Sequence, residues 1–167
     1  GQFWARYKRK PDPGKAGTYA RRAREAPTDG LAAQFVRDAY AAGVVSGFQL
    51  TKHTAAVLKR FRTVESGETD SVSRCPRLKW DSPCTTLRAG TGKDHGSFQS
   101  IRPIHPEKNR VITVREAARI QGFPDWFQFH PTKWHSFRMI GNSVSPCLAE
   151  TILRLIADRY TPKMPSR

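Results

Sequence analysis

The stretch RVITVREAARIQGFPD, residues 110–125, predicts a short helix with a defined start and a defined end. Thr113 can cap the first free amide groups, and Glu116 stands three residues later, which is the spacing of a capping box. Gly122 can end the helix in a left-handed conformation, and Pro124 prevents the helix from continuing. Both ends of this helix are therefore set by local sequence.

The two faces of this helix carry different chemistry. Ala117, Ala118 and Ile120 form a small apolar face that permits close packing. Arg115 and Arg119 lie four residues apart on one face, where guanidinium groups can bind phosphates, carboxylates or backbone carbonyls. Periodicity alone leaves these three kinds of partner open.

A second helix is predicted to begin inside the segment GNSVSP, residues 141–146. Pro146 suits the first helical position, and Ser145 suits the N-cap. An apolar stripe at helical spacing follows, and it consists of Leu148, Ile152, Leu155 and Ile156. Such a stripe needs a cover, so we expect it to be exposed, paired with another copy, or folded back.

These two segments resemble motifs IX and X of the DNA (cytosine-5)-methyltransferases. In the first segment the resemblance lies in the pattern Arg-x-x-Thr-x-Arg-Glu-x-Ala-Arg-x-Gln-x-Phe-Pro-Asp, and in the second it lies in Gly-Asn-Ser-Val-Ser-Pro. His105-Pro106 and the stretch LKWDSP at 78–83 also resemble the region that leads into motif IX. The two motifs stand in the order and at the spacing of the family.

The resemblance implies an α+β fold. A small mixed domain with short antiparallel strands and peripheral helices is expected. A C-terminal helix that belongs to the S-adenosylmethionine-dependent, Rossmann-like methyltransferase domain should follow it. The expected division is a basic flexible segment at 1–27, a target-recognition (DNA-binding) domain at 28–140, motif X with the C-terminal helix at 141–160, and a tail at 161–167.

The resemblance also implies roles for individual residues. Motif IX organises the target-recognition domain, so we favour a scaffolding role over catalysis for its polar side chains. The candidates for DNA binding or for this scaffold are Arg88, Lys93, Arg110, Thr113, Arg115, Glu116 and Arg119. The turn of motif X lines the S-adenosylmethionine pocket, and the candidate cofactor contacts are Asn142, Ser143 and Val144.

The family's reaction needs groups that this sequence lacks. A cysteine thiolate attacks C6 of a flipped cytosine, a glutamate assists at N3, and the methyl group passes from the cofactor to C5. The Phe-x-Gly-x-Gly, Glu-Asn-Val and Gln-x-Arg-x-Arg segments are absent. Cys84 and Cys147 each follow a proline, but neither lies in the sequence context of the catalytic loop. No catalytic residue is therefore predicted in this chain. We expect it to be inactive alone, sharing the cofactor site with a missing N-terminal catalytic part or subunit.

The charge is strongly unbalanced, with 29 Lys and Arg against 14 Asp and Glu and a formal net charge of +15. Such an excess favours a polyanionic partner, because each neutralised phosphate releases condensed counterions. Double-stranded DNA is the expected partner. No run of about 18 apolar residues is present, so no membrane contact is expected.

The three cysteines form no CxxC pair and predict neither a zinc ribbon nor a disulfide framework. A mixed site from Cys75, Cys84, His95 and His105 matches no familiar ligand spacing, so no metal is predicted. The expected location is a bacterial cytoplasm, in association with the nucleoid.

Weaker patterns predict two more helices. Leu31, Phe35 and Ala39 stand at positions i, i+4 and i+8 after the turn residue Gly30. A further helix is expected over Lys52–Arg62.

Short strands are expected at Leu78–Trp80 and Thr85–Leu87. The aromatic residues between the two motifs can pack in a core or stack on bases, and we favour the core. They are Trp126, Phe127, Phe129, Trp134 and Phe137.

A second function of another class stays open, namely a non-catalytic DNA-binding module that is a truncated remnant of such an enzyme. It would bind DNA with a steep dependence on salt but would support no methylation. Self-association through the C-terminal helix is a further expectation of the uncovered stripe.

Overall fold

The computed structural model describes residues 4–6, 17–28, 30–89 and 102–160. Lys93 and His95 lie outside the described residues. The elements are mostly helical, with one small sheet. They are β1 (Trp4–Arg6), α1 (Thr18–Ala23), α2 (Gln34–Ala41), β2 (Val44–Ser46), α3 (Ala55–Thr63), α4 (Val114–Gln121), α5 (Lys133–Asn142) and α6 (Pro146–Tyr160).

The sheet pairs β1 with β2 in antiparallel register, with Ala5 opposite Val45. Single bridges join Thr69 to Pro76, Arg77 to Ile104 and Ile104 to Val111. The described residues thus contain both helices and a few strands, which agrees with the expected α+β class.

The main core forms around α4 and α5. It consists of Leu87, Ile112, Val114, Ala117, Ala118, Phe123, Phe129, Phe137 and Ile140. A smaller cluster under α3 consists of Phe61, Cys75, Ile104 and Val111. The preference for core packing is confirmed for Phe129 and Phe137, which are buried, and Phe127 packs against the same core.

The strands predicted at Leu78–Trp80 and Thr85–Leu87 are wrong. Neither stretch pairs as a ladder; the Leu78 amide donates to the Ile104 carbonyl at 3.0 Å beside the single Arg77–Ile104 bridge. Leu87 is buried in the main core instead. Its apolar character reflects packing against helices and not a place in a sheet.

The helix after Gly30 is shorter than predicted. Leu31 lies in the turn that precedes α2, where its amide donates to the Thr28 carbonyl at 3.2 Å. Leu31 and Phe35 are exposed, and Val36 is the residue that α2 buries. The predicted stripe is therefore not the packing face.

The helix predicted over Lys52–Arg62 is confirmed as α3, with a later start. Thr54 is its N-cap, because the Thr54 side chain accepts a hydrogen bond from the Val57 amide at 3.4 Å. The basic segment at 1–27, which the sequence predicts to be flexible, contains β1 and α1 among its described residues. No helix in the described part of the chain is long and apolar enough to cross a membrane.

Candidate functional site

The capping box of α4 forms as predicted. The Thr113 side chain accepts a hydrogen bond from the Glu116 amide at 3.2 Å, and the Glu116 carboxylate accepts one from the Thr113 amide at 2.7 Å. The Arg110 guanidinium donates two hydrogen bonds of 2.8 Å to the same carboxylate. Burial raises the pKa of Glu116, but the bonds from Arg110 and Thr113 outweigh it and hold the pKa below the ordinary value. Glu116 is therefore ionised, and it connects Arg110 to the N-terminus of α4.

Arg115 is fully buried, at 0% exposure. Its guanidinium donates to the Ser46 carbonyl at 2.9 Å and to the Ser46 hydroxyl at 3.1 Å. It also donates to the carbonyls of Pro124 at 3.1 Å and Phe127 at 2.8 Å. One side chain thus joins β2, α4 and the segment after α4, and it lies away from the surface that DNA could reach.

Arg119 forms a bidentate ion pair with Asp125, with N–O distances of 2.8 and 2.7 Å. Asp125 is 2% exposed, and its amide donates to the Ala23 carbonyl at the end of α1. The Tyr19 hydroxyl of α1 donates to the Arg119 carbonyl. Of the partners that the sequence left open, Arg115 takes carbonyls and Arg119 takes a carboxylate.

The predicted cofactor contacts lie where α5 meets α6. Asn142 is the last residue of α5 and is exposed, and Val144 is exposed in the turn that follows. The Ser143 hydroxyl donates to the Ile140 carbonyl at 2.7 Å, and the Ser143 carbonyl accepts from Gln121 at 2.9 Å. Among the described residues, Asn142 and Val144 therefore have side chains that face solvent, while Ser143 anchors the turn to α4.

Gly122 closes α4 next to this turn. Its φ of 97° is the left-handed conformation that the sequence predicts. A Cβ at this position would lie 3.1 Å from the Ser145 hydroxyl and 3.3 Å from the Cys147 sulfur. The ends of the two motif segments are therefore in close contact.

Gly141 lies inside α5, not in a turn as the sequence resemblance implies. A Cβ at this position would lie 2.7 Å from the Ala89 Cα and 2.7 Å from the Arg88 carbonyl carbon. The backbone of 88–89 thus crosses α5 directly over the glycine. Arg88 itself is exposed.

Replacing Gly141 with alanine should lower the free energy of unfolding by about 1–3 kcal/mol, because backbone atoms must move to admit the methyl group. Urea denaturation would measure the change. Gly17→Ala is the matched control, since no atom lies within 4 Å of a Cβ built there. Equal stability of the two variants would show that 88–89 does not pack against α5.

The stripe of α6 is exposed along its length. Ile152 and Ile156 are 46% and 48% exposed, and no residue of the helix is buried. Ion pairs fix the base of the helix, where Glu150 contacts Arg22 of α1 and Arg154. In the single chain the stripe is therefore exposed and not folded back, and pairing with another copy stays a prediction.

A groove of about 850 Å³ opens between α1, the end of α4 and the start of α6. Its lining includes Tyr19, Arg22, Gly122, Trp126, Cys147 and Glu150. The groove is therefore lined by the face of α6 that carries Cys147 and Glu150, and not by the residues of the exposed stripe.

Neither candidate cysteine shows the features of an activated nucleophile. Burial raises the pKa of Cys84 above its ordinary value, whereas a catalytic cysteine needs a lowered pKa. Cys147 is half-buried in the first turn of α6, near the Gly122 carbonyl. The described residues contain no group of three or more His, Cys, Asp or Glu that could hold a metal ion.

Two buried charged residues escaped sequence reasoning. Arg77 donates to the carbonyls of Val64 at 2.8 Å and His105 at 2.9 Å, and it also reaches Phe61 and Asn109. Asp70 is 1% exposed and pairs with Arg60 at 2.7 Å. The partners of Arg77 and the Arg60 partner of Asp70 are distant in sequence, so no local pattern predicts them. Asp70 also accepts hydrogen bonds from the Ser73 amide at 2.6 Å and the Ser73 hydroxyl at 2.5 Å, three residues later.

His53 provides a pH-sensitive contact under α3. Its Nε2 accepts a hydrogen bond from the Val111 amide at 3.3 Å, so the ring must be neutral at that nitrogen. Burial lowers the pKa of His53 below the ordinary value of 6.5, and the charges of Lys133 and Arg110 lower it further.

Acidification should therefore destabilise the fold through His53. The unfolded chain binds this proton more readily, so the contribution is complete above pH 6.5 and is lost as the pH falls through the lowered pKa. His53→Gln keeps an acceptor that does not titrate. Unfolding in urea between pH 8 and pH 5 should show the wild type losing stability relative to this variant. A constant difference across that range would contradict the assignment.

Comparison with known proteins identifies the class of protein to which this arrangement belongs. A family model described as C-5 cytosine-specific DNA methylase matches residues 17–158. The chain is 46% identical over 171 residues to the type II methyltransferase M.XorII of Xanthomonas oryzae pv. oryzae, and the match covers 99% of the chain and 39% of that relative. It is 47% identical over 76 residues to the DNA (cytosine-5)-methyltransferase CMT2 of Arabidopsis thaliana, covering 46% of the chain and 6% of that protein.

A solved structure agrees with the sequence matches. A candidate DNA modification methyltransferase encoded within an Escherichia coli prophage superimposes with a TM-score of 0.77 at 39% identity, covering 93% of the chain and 40% of that structure.

The chain therefore belongs to the C-5 cytosine-specific DNA methylase family, as the sequence predicts, and the assignment of its two segments to motifs IX and X stays a prediction. Members of the family take a methyl group from S-adenosylmethionine and act on DNA. The chain spans 39% of the length of M.XorII and 40% of the matched solved structure. The domain boundaries and the roles of individual residues stay predictions.

Proposed function

We propose that this chain is the DNA-recognition portion of a DNA (cytosine-5)-methyltransferase and forms one wall of its cofactor site. The observation that carries the proposal is the join of α5 and α6. Exposed Asn142 and Val144 stand there beside α6, whose apolar stripe is buried by no described residue. A polar turn next to an uncovered apolar stripe fits a composite site completed by another part of the protein.

The polar groups of the join suit this cofactor site. Asn142 offers an amide with both donors and acceptors, which matches the amino-acid and nucleoside groups of S-adenosylmethionine. Ser143 orients the turn through its bonds to Ile140 and Gln121. When bound, the cofactor supplies the methyl group. This chain's part is to position the turn that contacts it, and the thiolate and glutamate come from the complementary part.

The α4 network supports the recognition role. Arg110, Arg115 and Arg119 are occupied by Glu116, backbone carbonyls and Asp125. Their contacts brace the region that motif IX organises, and they favour the scaffold over direct contact with DNA. A location on the bacterial nucleoid would follow from the same function.

A complementation assay tests the proposal. The chain would be mixed with a polypeptide that comprises the part of M.XorII that this chain does not match, and transfer of labelled methyl groups to DNA would be measured. We expect activity only in the mixture. Activity of the chain alone would refute the shared site. DNA binding with no methylation in the mixture would favour the non-catalytic module.

A further inference from the structure

Three cationic side chains converge beside the first turn of α5. The Lys133 ammonium donates to the Leu50 carbonyl at 3.1 Å, which holds α5 against the segment that leads into α3. The Arg102 guanidinium lies over the Phe137 ring, 4.5 Å from its centroid. Phe137 lies one helical turn after Lys133 in α5. Lys52 follows Leu50 by two residues and is exposed.

The electrostatics show that these cations act on one another. Burial lowers the pKa of Lys133, and the charges of Arg102 and Lys52 lower it further. The charge of Lys133 in turn lowers the pKa of His53. Like charges held this close favour the entry of an anion, which would remove the repulsion.

The described part of the protein does not neutralise this cluster. Its ion pairs place carboxylates on other basic residues, namely Arg22, Arg60, Arg110, Arg119 and Arg154. The first turn of α5 also contains no acidic residue. No carboxylate of the described residues therefore pairs with Lys52, Arg102 or Lys133.

We propose that Lys52, Arg102 and Lys133 form an anchor for the sugar–phosphate backbone of duplex DNA. This inference rests on the proposed function and adds the surface that receives the phosphates. Lys133 is held by a carbonyl and Arg102 by an aromatic ring, so binding would cost little side-chain entropy. A net charge of +15 favours a polyanion over a single small anion.

The position of the anchor explains how recognition and chemistry could be linked. The 10 residues of α5 run from Lys133 to Asn142, a distance of about 15 Å along the helix axis. The phosphate anchor and the proposed cofactor edge thus stand at opposite ends of one helix. DNA bound near Lys133 would therefore have a fixed position relative to the proposed cofactor contacts at Asn142.

The test is the salt dependence of DNA binding by the intact chain. Fluorescence anisotropy with a labelled duplex would give the affinity at several NaCl concentrations. The double variant Lys52→Gln/Lys133→Gln should reduce the slope of log affinity against log salt by about 2, since each phosphate contact contributes about 0.9. Arg102→Gln should reduce the slope by about 1, while Arg102→Lys should preserve it.

Lys79→Gln/Lys108→Gln is the matched control, because it removes two exposed lysines elsewhere on the surface. An equal loss in this control would show an effect of net charge alone and would overturn the proposal, as would an unchanged slope in the Lys52/Lys133 variant. Displacement of DNA by poly-glutamate that depends on Lys52 and Lys133 would assign the cluster to an acidic protein instead.

Two measurements separate failure of the anchor from other failures. Thermal melting followed by circular dichroism should show that every variant remains folded. Absence of DNA binding by the wild type would count against the proposed function itself. A steep slope in the wild type that persists in the Lys52/Lys133 variant would refute the anchor alone.

Discussion

Replacing Arg115 with methionine is expected to lower the free energy of unfolding by about 3 kcal/mol or more. Methionine keeps much of the apolar stem but removes four hydrogen bonds, and the carbonyls of Ser46, Pro124 and Phe127 lose a charged donor. Removing the guanidinium also removes the free-energy cost of burying its charge, which by itself would stabilise the fold. The lost hydrogen bonds cost more than this gain, because Arg115 is 0% exposed and water has little access to the carbonyls that would be left without a donor.

Urea denaturation with linear extrapolation would measure this change. Arg138→Met is the control, since Arg138 is exposed and its described contact is with the face of Trp134, at 5.3 Å. That variant should lose less than about 1 kcal/mol. Arg115→Lys should fail to restore stability, because an ammonium cannot reproduce the planar fork. Similar losses in the free energy of unfolding for Arg115→Met and Arg138→Met would contradict the stabilising role of the Arg115 hydrogen bonds.

The sequence was sufficient where structure is decided locally. The capping box of Thr113 and Glu116, the left-handed Gly122 and the start of α6 at Pro146 all depend on residues within a few positions of one another. Such signals need no tertiary information. The exposure of the α6 stripe was one of three outcomes that the sequence left open.

Long-range contacts were beyond sequence reasoning. The Ser46 carbonyl that Arg115 binds lies 69 positions earlier in the chain. Leu87 has a strand-like neighbourhood, yet it packs under helices because Gly141 lets the backbone of 88–89 approach α5. The cluster of Lys52, Arg102 and Lys133 is likewise assembled from three separate segments. In each case the folded chain, and not a local pattern, creates the partner.

These contacts also explain why the scaffold and the proposed cofactor edge belong to one unit. Gln121 at the end of α4 holds the Ser143 carbonyl, and Gly122 abuts the first turn of α6. α1 adds a second connection, since Tyr19 bonds to the Arg119 carbonyl and Arg22 pairs with Glu150. A displacement of α4 would therefore be transmitted to the turn that contains Asn142.

Introducing a charge into the α6 stripe should abolish assembly with the catalytic part while leaving the chain itself stable. In Ile152→Asp the new carboxylate would be buried in the proposed interface without a partner, and we expect affinity for the complementary polypeptide to fall at least 100-fold, or about 3 kcal/mol. The stability of the chain should change little, because Ile152 is already 46% exposed. Titration by calorimetry would give the affinity, and methyl transfer in the mixture should fall in parallel.

The control for this prediction is Arg154→Asp, which places the same side chain on the opposite face of α6. It replaces an exposed pair with Glu150 by two like charges four residues apart, a change of small energetic value. Complementation by this variant should match the wild type. Ultracentrifugation of the chain alone would show whether the stripe also pairs two copies, in which case Ile152→Asp should yield monomers. Full complementation by Ile152→Asp would mean that α6 is not the docking surface, because an unpaired carboxylate at the centre of a buried apolar interface could not be tolerated without loss of affinity.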